Sequence, residues 1–346
     1  MHTIVFSVAT FRERRRVVGV LATLLALAGA SILFSCAVGS VGLSLPELLS
    51  ALGELVRGEP SSLAGTLLEL RLGRALSAFV TGATLALAGV MMQALLRNPL
   101  ADPYVLGVSG GAAVGALFAM LFFTAAWLID VAAFAGAVAV AFLLFAFAYR
   151  DLRSGAGSEG GAPMLLLTGV IVASGCGALV TLMLSMAPDN RLRGMVFWLI
   201  GDLSATPSRW LPWAVWLAAL VFAVRVARAV NLLAMHAEAA STLGIRVGRL
   251  RQGLFLCSAL LTASAVSSAG SIGFIGLIVP HACRFAWGPD HRLLLPASTL
   301  AGGSFLVLAD TLARTVLAPQ QLPVGVITAL IGVPVFLVQL HHIHRK

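Results

Sequence analysis

An all-α polytopic membrane protein with ten transmembrane helices and both termini on the cytoplasmic side is the fold this sequence predicts. The 346 residues are 59% hydrophobic and only 11% charged, with a mean hydropathy of +0.98; a soluble domain carries roughly 25% charged residues. Ten apolar runs approach the about 20 residues a helix needs to cross a bilayer, and none alternates with the period of a barrel strand. The basic residues are lopsided between the two sets of connections. Sixteen of the 23 fall on one side, and Arg57, Arg71, Arg74, Arg191, Arg193, Arg209 and Arg314 on the other. The richer side is cytoplasmic.

The first span, near 17–39, follows Arg12, Arg14, Arg15 and Arg16. It lacks a convincing small-residue cleavage site, so it reads as an uncleaved helix rather than a signal peptide. Residues 40–70 read as a longer external connection carrying Glu47, Glu54, Glu59 and Glu69. Spans two to six fall near 74–96, 104–123, 127–149, 163–187 and 210–230. Between the second and third, Arg97-Asn98-Pro99 forms a polar hinge, because proline forces the preceding residue out of helical geometry. Gly155 to Gly161 is a small-residue cytoplasmic loop. Residues 191–203 read as a short helix at the external interface, with Phe197 and Trp198 as membrane anchors.

Gly253 to Trp287 spans 35 residues, roughly 52 Å as one helix, too long for one span and short for two. A turn at Ala269-Gly270-Ser271 divides it into spans near 248–269 and 272–287, the second shortened, with Gly273, Gly276 and Pro280 suited to close packing or a bend. The last spans lie near 293–313 and 322–341. Ala-Gly-rich turns ending in proline recur at Ala88–Pro99 and Ala269–Pro280, approached from opposite sides; an inverted repeat produces that relation. Residues 1–346 form a single transmembrane domain.

The formal charge of +9 rests on arginine, since Lys346 is the only lysine. Arginines clustered in short connections are topogenic, so no nucleic acid is expected as partner. A P-loop needs a lysine to reach the nucleotide phosphates, which excludes ATP hydrolysis by that route. The aspartates Asp102, Asp130, Asp189, Asp202 and Asp310 map to helix ends or loops, leaving the span interiors without the carboxylate an ion-coupled carrier places there. Cys36, Cys176, Cys257 and Cys283 lack metal-site spacing. The histidines all map to the cytoplasmic side, so no axial ligand for haem is expected on the external vestibule. His341, His342 and His344 read as a solvated tail, and no metal site is expected.

After the sixth span, Ala234 to Leu243 has helical propensity and Gly244 is a natural C-cap. From the residues alone this is either a lever that an ATPase grips or an ordinary amphipathic linker.

Five segments in order resemble the FecCD family, the permease subunits of ABC importers for iron chelates, haem and cobalamin. They are Arg71-Leu-Gly-Arg74, Arg97-Asn-Pro-Leu-Ala-Asp-Pro103, Ala237-Glu-Ala-Ala-Ser-Thr-Leu-Gly244, Gly270-Ser-Ile-Gly-Phe-Ile-Gly-Leu-Ile-Val-Pro280 and Leu322-Pro-Val-Gly325 with the apolar run that follows. The resemblance implies a type II importer of the bacterial inner membrane, non-catalytic in this chain and binding no cofactor. Its expected partners are a second copy of itself, two cytoplasmic ATPase subunits holding ATP-Mg, and a periplasmic substrate-binding protein. The binding protein is expected to dock on Arg71, Arg74 and Arg314. The cytoplasmic gate carries over to Asn98, Pro99 and Leu100 and to Gly160, Gly161 and Ala162. ATPase coupling carries over to His236, Ala237, Glu238, Ser241, Leu243 and Gly244. The expected cargo is haem or a ferric siderophore, with cobalamin as the alternative within the family and an ion-coupled secondary transporter as the alternative outside it. Two positions depart from the family pattern. Gly73 replaces a proline, which is expected to loosen a helix start, and Gln321 replaces a carboxylate, which removes any ion pair made there.

Overall fold

A backbone in lipid must satisfy its own hydrogen bonds, so long apolar runs fold as helices. The computed structural model describes residues 2–39, 41–42, 44–58, 61–123, 125–153, 161–203, 210–235 and 237–344. Among these are thirteen α-helices and no strand: α1 (His2–Ala37), α2 (Leu45–Arg57), α3 (Leu63–Leu96), α4 (Val108–Phe122), α5 (Ala126–Arg153), α6 (Gly161–Ser185), α7 (Asp189–Ile200), α8 (Trp210–Met235), α9 (Ala237–Thr242), α10 (Val247–Ala269), α11 (Ile275–Trp287), α12 (His291–Thr315) and α13 (Val324–His344). A 3₁₀ turn covers Pro103–Leu106. Seven helices are long and apolar enough to cross a membrane: α1, α3, α5, α6, α8, α10 and α12. The three remaining expected spans coincide with the shorter helices α4, α11 and α13.

The seven are not equivalent. Of the most apolar window of α3, 94% is buried inside the chain, against 17% for α1 and α6. Helix α3 is therefore the central pillar, with α1, α2, α8, α10, α11 and α12 packed directly against it. Small residues set the approach, as they must where lipid supplies no hydrophobic drive between helices. A Cβ on Gly89 would lie 1.9 Å from the Gly276 carbonyl oxygen of α11, and one on Gly82 would lie 2.3 Å from that of Gly302 in α12. Polar contacts follow at that closeness: Ser258 Oγ donates to Ala88 O at 3.1 Å and Gln93 Nε2 to Gly276 O at 3.2 Å.

The turn expected at Ala269-Gly270-Ser271 is present. Helix α10 ends at Ala269, and Gly270 takes φ 70° with Trp198 O pressed where a Cβ would stand. Of the three residues expected to shape the following span, Gly276 packs against α3 and Pro280 lies inside α11, but Gly273 has open space beside it.

Two expectations are corrected. Residues 40–70 are not a plain connection: Leu45–Arg57 is a helix and Leu63 already begins α3. The signal was legible in Ser44-Leu-Pro-Glu47, where the Ser44 N–H donates to Glu47 Oε2 at 2.7 Å and proline sits in the first turn. Gly73 consequently lies inside a helix, not at a helix start. The interfacial helix expected at 191–203 is α7, which begins at Asp189 and ends at Ile200. Trp198 is half-buried against the core.

Candidate functional site

Three constellations carry the expected functional residues. The first lies at the end of the bundle that the arginine count places outside. Helix α1 ends at Ala37, and its last carbonyls have no partner within the helix. Arg71 of α3 fills that role, donating from Nη1 to Cys36 O at 3.0 Å and Ala37 O at 3.4 Å, and from Nη2 to Val41 O. Arg314 of α12 does the same for Ser35, with Nη2 donating to Ser35 O and to Ser35 Oγ at 2.7 Å. Both arginines are 7% exposed. Cations at a helix C-terminus also complement its dipole. Gly39 leaves room for this: a Cβ there would meet the Arg71 guanidinium at 2.5 Å.

Arg74 completes the network. Its Nε and Nη2 form a fork on Asp310, at 2.9 Å to Oδ2 and 2.8 Å to Oδ1, while Nη1 donates to Gln321 Oε1 at 2.8 Å. The amide at Gln321 thus keeps a hydrogen bond at the position where the resemblance leads one to expect a carboxylate. Asp310, 1% exposed, also sits 3.8 Å from Arg314 Nε. Arg71 and Arg314 are therefore engaged inside the chain, and Arg74 is the arginine of the three with partial access, its side chain 14% exposed.

The second constellation is the hinge. Helix α3 ends because Arg97 turns left-handed, φ 50° and ψ 34°, a conformation costing a non-glycine residue of order 1 kcal/mol. Asn98 then closes on itself: its Oδ1 accepts the Leu100 N–H at 2.9 Å and its carbonyl accepts the Ala101 N–H at 3.1 Å. Leu100 is exposed. Asp102 caps the 3₁₀ turn, accepting the Tyr104 N–H at 2.8 Å. The sequence placed Asp102 in a loop; the structure buries it, and burial pushes its carboxyl up to about 6, only partly offset by that N–H. Of the second gate segment, Gly160 lies outside the described residues. Gly161 and Ala162 are the first two residues of α6.

The buried carboxylate has a pH signature. A folded value near 6 exceeds the 3.8 of a free carboxyl, so the folded state binds the proton more tightly. Stability is fullest below about pH 4, falls as pH rises to about 6, and stays reduced above. Asp102→Asn keeps the cap without the charge. It is expected to unfold about 2 kcal/mol less readily than wild type at pH 7.5 and to match it near pH 4. Denaturation midpoints in detergent at the two pH values check this; parallel curves for the two proteins would refute it.

The third constellation is α9. Within the stretch expected as one helix, Ala234 and Met235 end α8 and Ala237–Thr242 form α9. His236 lies outside the described residues. Gly244 takes φ 82°, with its N–H on Ser241 O at 2.9 Å and the Ile245 N–H on Ala240 O at 3.0 Å, the paired closure that favours glycine. Ala237 and Ala240 are buried, whereas Glu238, Ser241 and Leu243 are exposed, Leu243 at 66%. A one-sided turn with an open leucine is a surface another protein can hold.

Comparison with known proteins shows the family. The sequence profile of the FecCD transport family matches residues 24–342. The chain is 42% identical to the cobalamin import system permease protein BtuC of Halobacterium salinarum over 86% of this chain and 79% of that one. It is 40% identical to the hemin transport system permease protein HmuU of Yersinia pestis, over 78% and 81%. Its fold superposes on a metal-chelate type ABC transporter in an inward-facing conformation, with TM-score 0.81 and 29% identity, over 94% of this chain and 99% of that one. With the hinge, the glycine-closed turn and the helix order all in place, the chain belongs to the FecCD transport family, the membrane-spanning permease subunits of ABC importers.

Proposed function

We propose that this permease imports a large metal chelate, haem or a ferric siderophore, from periplasm to cytoplasm. The observation that carries the reading is the pairing of a hinge at the end of the central helix with an exposed, glycine-closed turn on the connection after the sixth span. One element can open a path and the other can be moved by a partner. Two copies of the chain, each with ten spans and cytoplasmic termini, enclose the path. Two ATPase subunits grip α9 through Glu238, Ser241 and Leu243, with Ala237 and Gly244 setting its pose, and His236 belongs to the same coupling segment. ATP-Mg belongs to those subunits. The gate is formed by Asn98, Pro99 and Leu100 against Gly160, Gly161 and Ala162. A periplasmic binding protein docks on the arginine end, where Arg74 supplies the contact and Arg71 and Arg314 hold the platform. Cobalamin is the second reading, favoured by the identity with the permease named for it.

The test is growth of a deletion strain on one source at a time: haem, a ferric siderophore or cobalamin. Restoration by this gene on a single iron source supports the reading; restoration on cobalamin alone replaces it with the second. Gly244→Val, which forces a β-branched residue into φ 82°, should keep the protein in the membrane yet leave ATP hydrolysis in the assembled importer proceeding with transport reduced about tenfold or more. Unchanged coupling would remove α9 from the mechanism.

A further inference from the structure

At the hinge end a cavity of about 660 Å³ opens between the ends of α3 and α8, helix α11 and the start of α12. Arg97, Asn98, Asn231, Arg284, Asp290 and His291 are in its wall. Asn231 sets the state of the histidine. Its Oδ1 accepts the His291 backbone N–H at 2.9 Å and its Nδ2 donates to Asp290 Oδ1 at 2.7 Å, which orients the amide. The ring Nδ1, 2.7 Å from that same Oδ1, must then carry the proton, and because burial and the nearby Arg284 disfavour the cation, Nε2 is left with a lone pair.

His291 is 5% exposed, and its Nε2 has no partner among the described residues. The same holds for Nη1 of Arg284, whose Nη2 donates to Gln93 Oε1 at 2.9 Å. Arg97 supplies a second guanidinium, tethered by one N–H to Met235 O at 3.1 Å. Asp290 is the one carboxylate on the wall, engaged by Asn231 and by the Arg292 N–H at 2.9 Å. The cavity is thus net positive, with a buried cationic donor and a buried neutral acceptor both unspent. Leaving such groups unpaired is costly. A bare cation would meet two guanidiniums. A proton-free anion would satisfy Arg284 and turn a lone pair towards Nε2. An oxyanion that keeps one O–H satisfies both.

We propose that this cavity binds a proton-bearing phosphate group, free or as a monoester, with Arg284 and Arg97 donating to its anionic oxygens and His291 Nε2 accepting from its hydroxyl. Arginine forks suit phosphate oxygens. Two sources carry the group: inorganic phosphate from solution and the headgroup of phosphatidic acid from the bilayer. Bound there, it ties the hinge to the end of α8 that leads into α9, and braces the gate end of the helices.

The experiment is calorimetric titration of inorganic phosphate into the purified full chain in phosphatidylcholine nanodiscs at pH 7, with sulfate as the proton-free counterpart. Phosphate should bind saturably and sulfate about tenfold or more weakly. Arg284→Gln and His291→Phe should each weaken phosphate about tenfold, and Arg249→Gln, outside the cavity, should not. Arg284→Lys serves if the glutamine variant does not fold, with a smaller loss expected. Phosphate silent in solution, but a raised unfolding midpoint in nanodiscs containing phosphatidic acid that Arg284→Gln abolishes, supports the lipid source. No response to either source, sulfate equal to phosphate, or indifference to both substitutions overturns the proposal. Binding is read on the chain itself, so failure of the importer reading would not be confused with failure here.

Discussion

Asp310→Asn is expected to destabilise the folded chain by about 3 kcal/mol, the scale of breaking a buried ion pair from one side. The substitution keeps the volume and one acceptor oxygen. It removes the countercharge from Arg74, which holds Asp310 through two N–H groups, and from Arg314, 3.8 Å away. It also turns an amide N–H₂ towards donors. The affected helices are the ones that close the bundle at this end, since α12 and α3 both grip the end of α1 through Arg314 and Arg71. Denaturation midpoints of the detergent-solubilised protein give the measurement. Adding Arg74→Gln to Asp310→Asn should recover part of the loss, because the first substitution removes the cation the second stranded. A loss below about 1 kcal/mol would place the network in the weak regime of solvent-exposed pairs.

The second large effect comes from one added carbon. Gly89→Ala is expected to cost about 3 kcal/mol or more, and Gly73→Ala in the same helix to gain up to about 1 kcal/mol. At Gly89 the new Cβ would stand 1.9 Å from a backbone oxygen of α11, and backbone cannot rotate aside as a side chain can. At Gly73 nothing lies within reach, so only the better helix propensity of alanine remains. Expression and unfolding of both variants, measured side by side, test whether α3–α11 contact sets stability. Equal behaviour of the two would dismiss it.

Much of the architecture was legible from composition and period. Runs rich in Leu, Ala and Val without charge become helices in lipid whatever surrounds them, and all ten expected runs coincide with helices. The turn at Gly270 and the closure at Gly244 were readable because each needs a positive φ that glycine takes at little cost. Helix α2 was passed over for want of hydrophobic length, although its Ser44–Glu47 pair and first-turn proline announced it.

The site residues divide along the same line. Local chemistry shaped the turns at Asn98 and Gly244, which are closed by bonds to neighbours a few residues away. The use of Arg71 and Arg314 is a different matter. Their partners lie in α1, 35 and 279 positions distant, and a charge on the side poor in arginine invites a reading as a contact surface until those carbonyls are seen. The burial of Asp102 was equally hidden, since a hinge of Asn, Pro and Asp reads as solvent-facing. By itself, then, the sequence determined a membrane-embedded helical chain and the breaks marked by glycine and proline, because hydrophobic length and backbone geometry act locally. Only the tertiary structure decided that α3 is the buried pillar, which arginines are spent inside, and that His291 and Arg284 share a cavity. Those outcomes depend on which distant helices approach, and that is set by glycine contacts whose partners lie far apart in the chain.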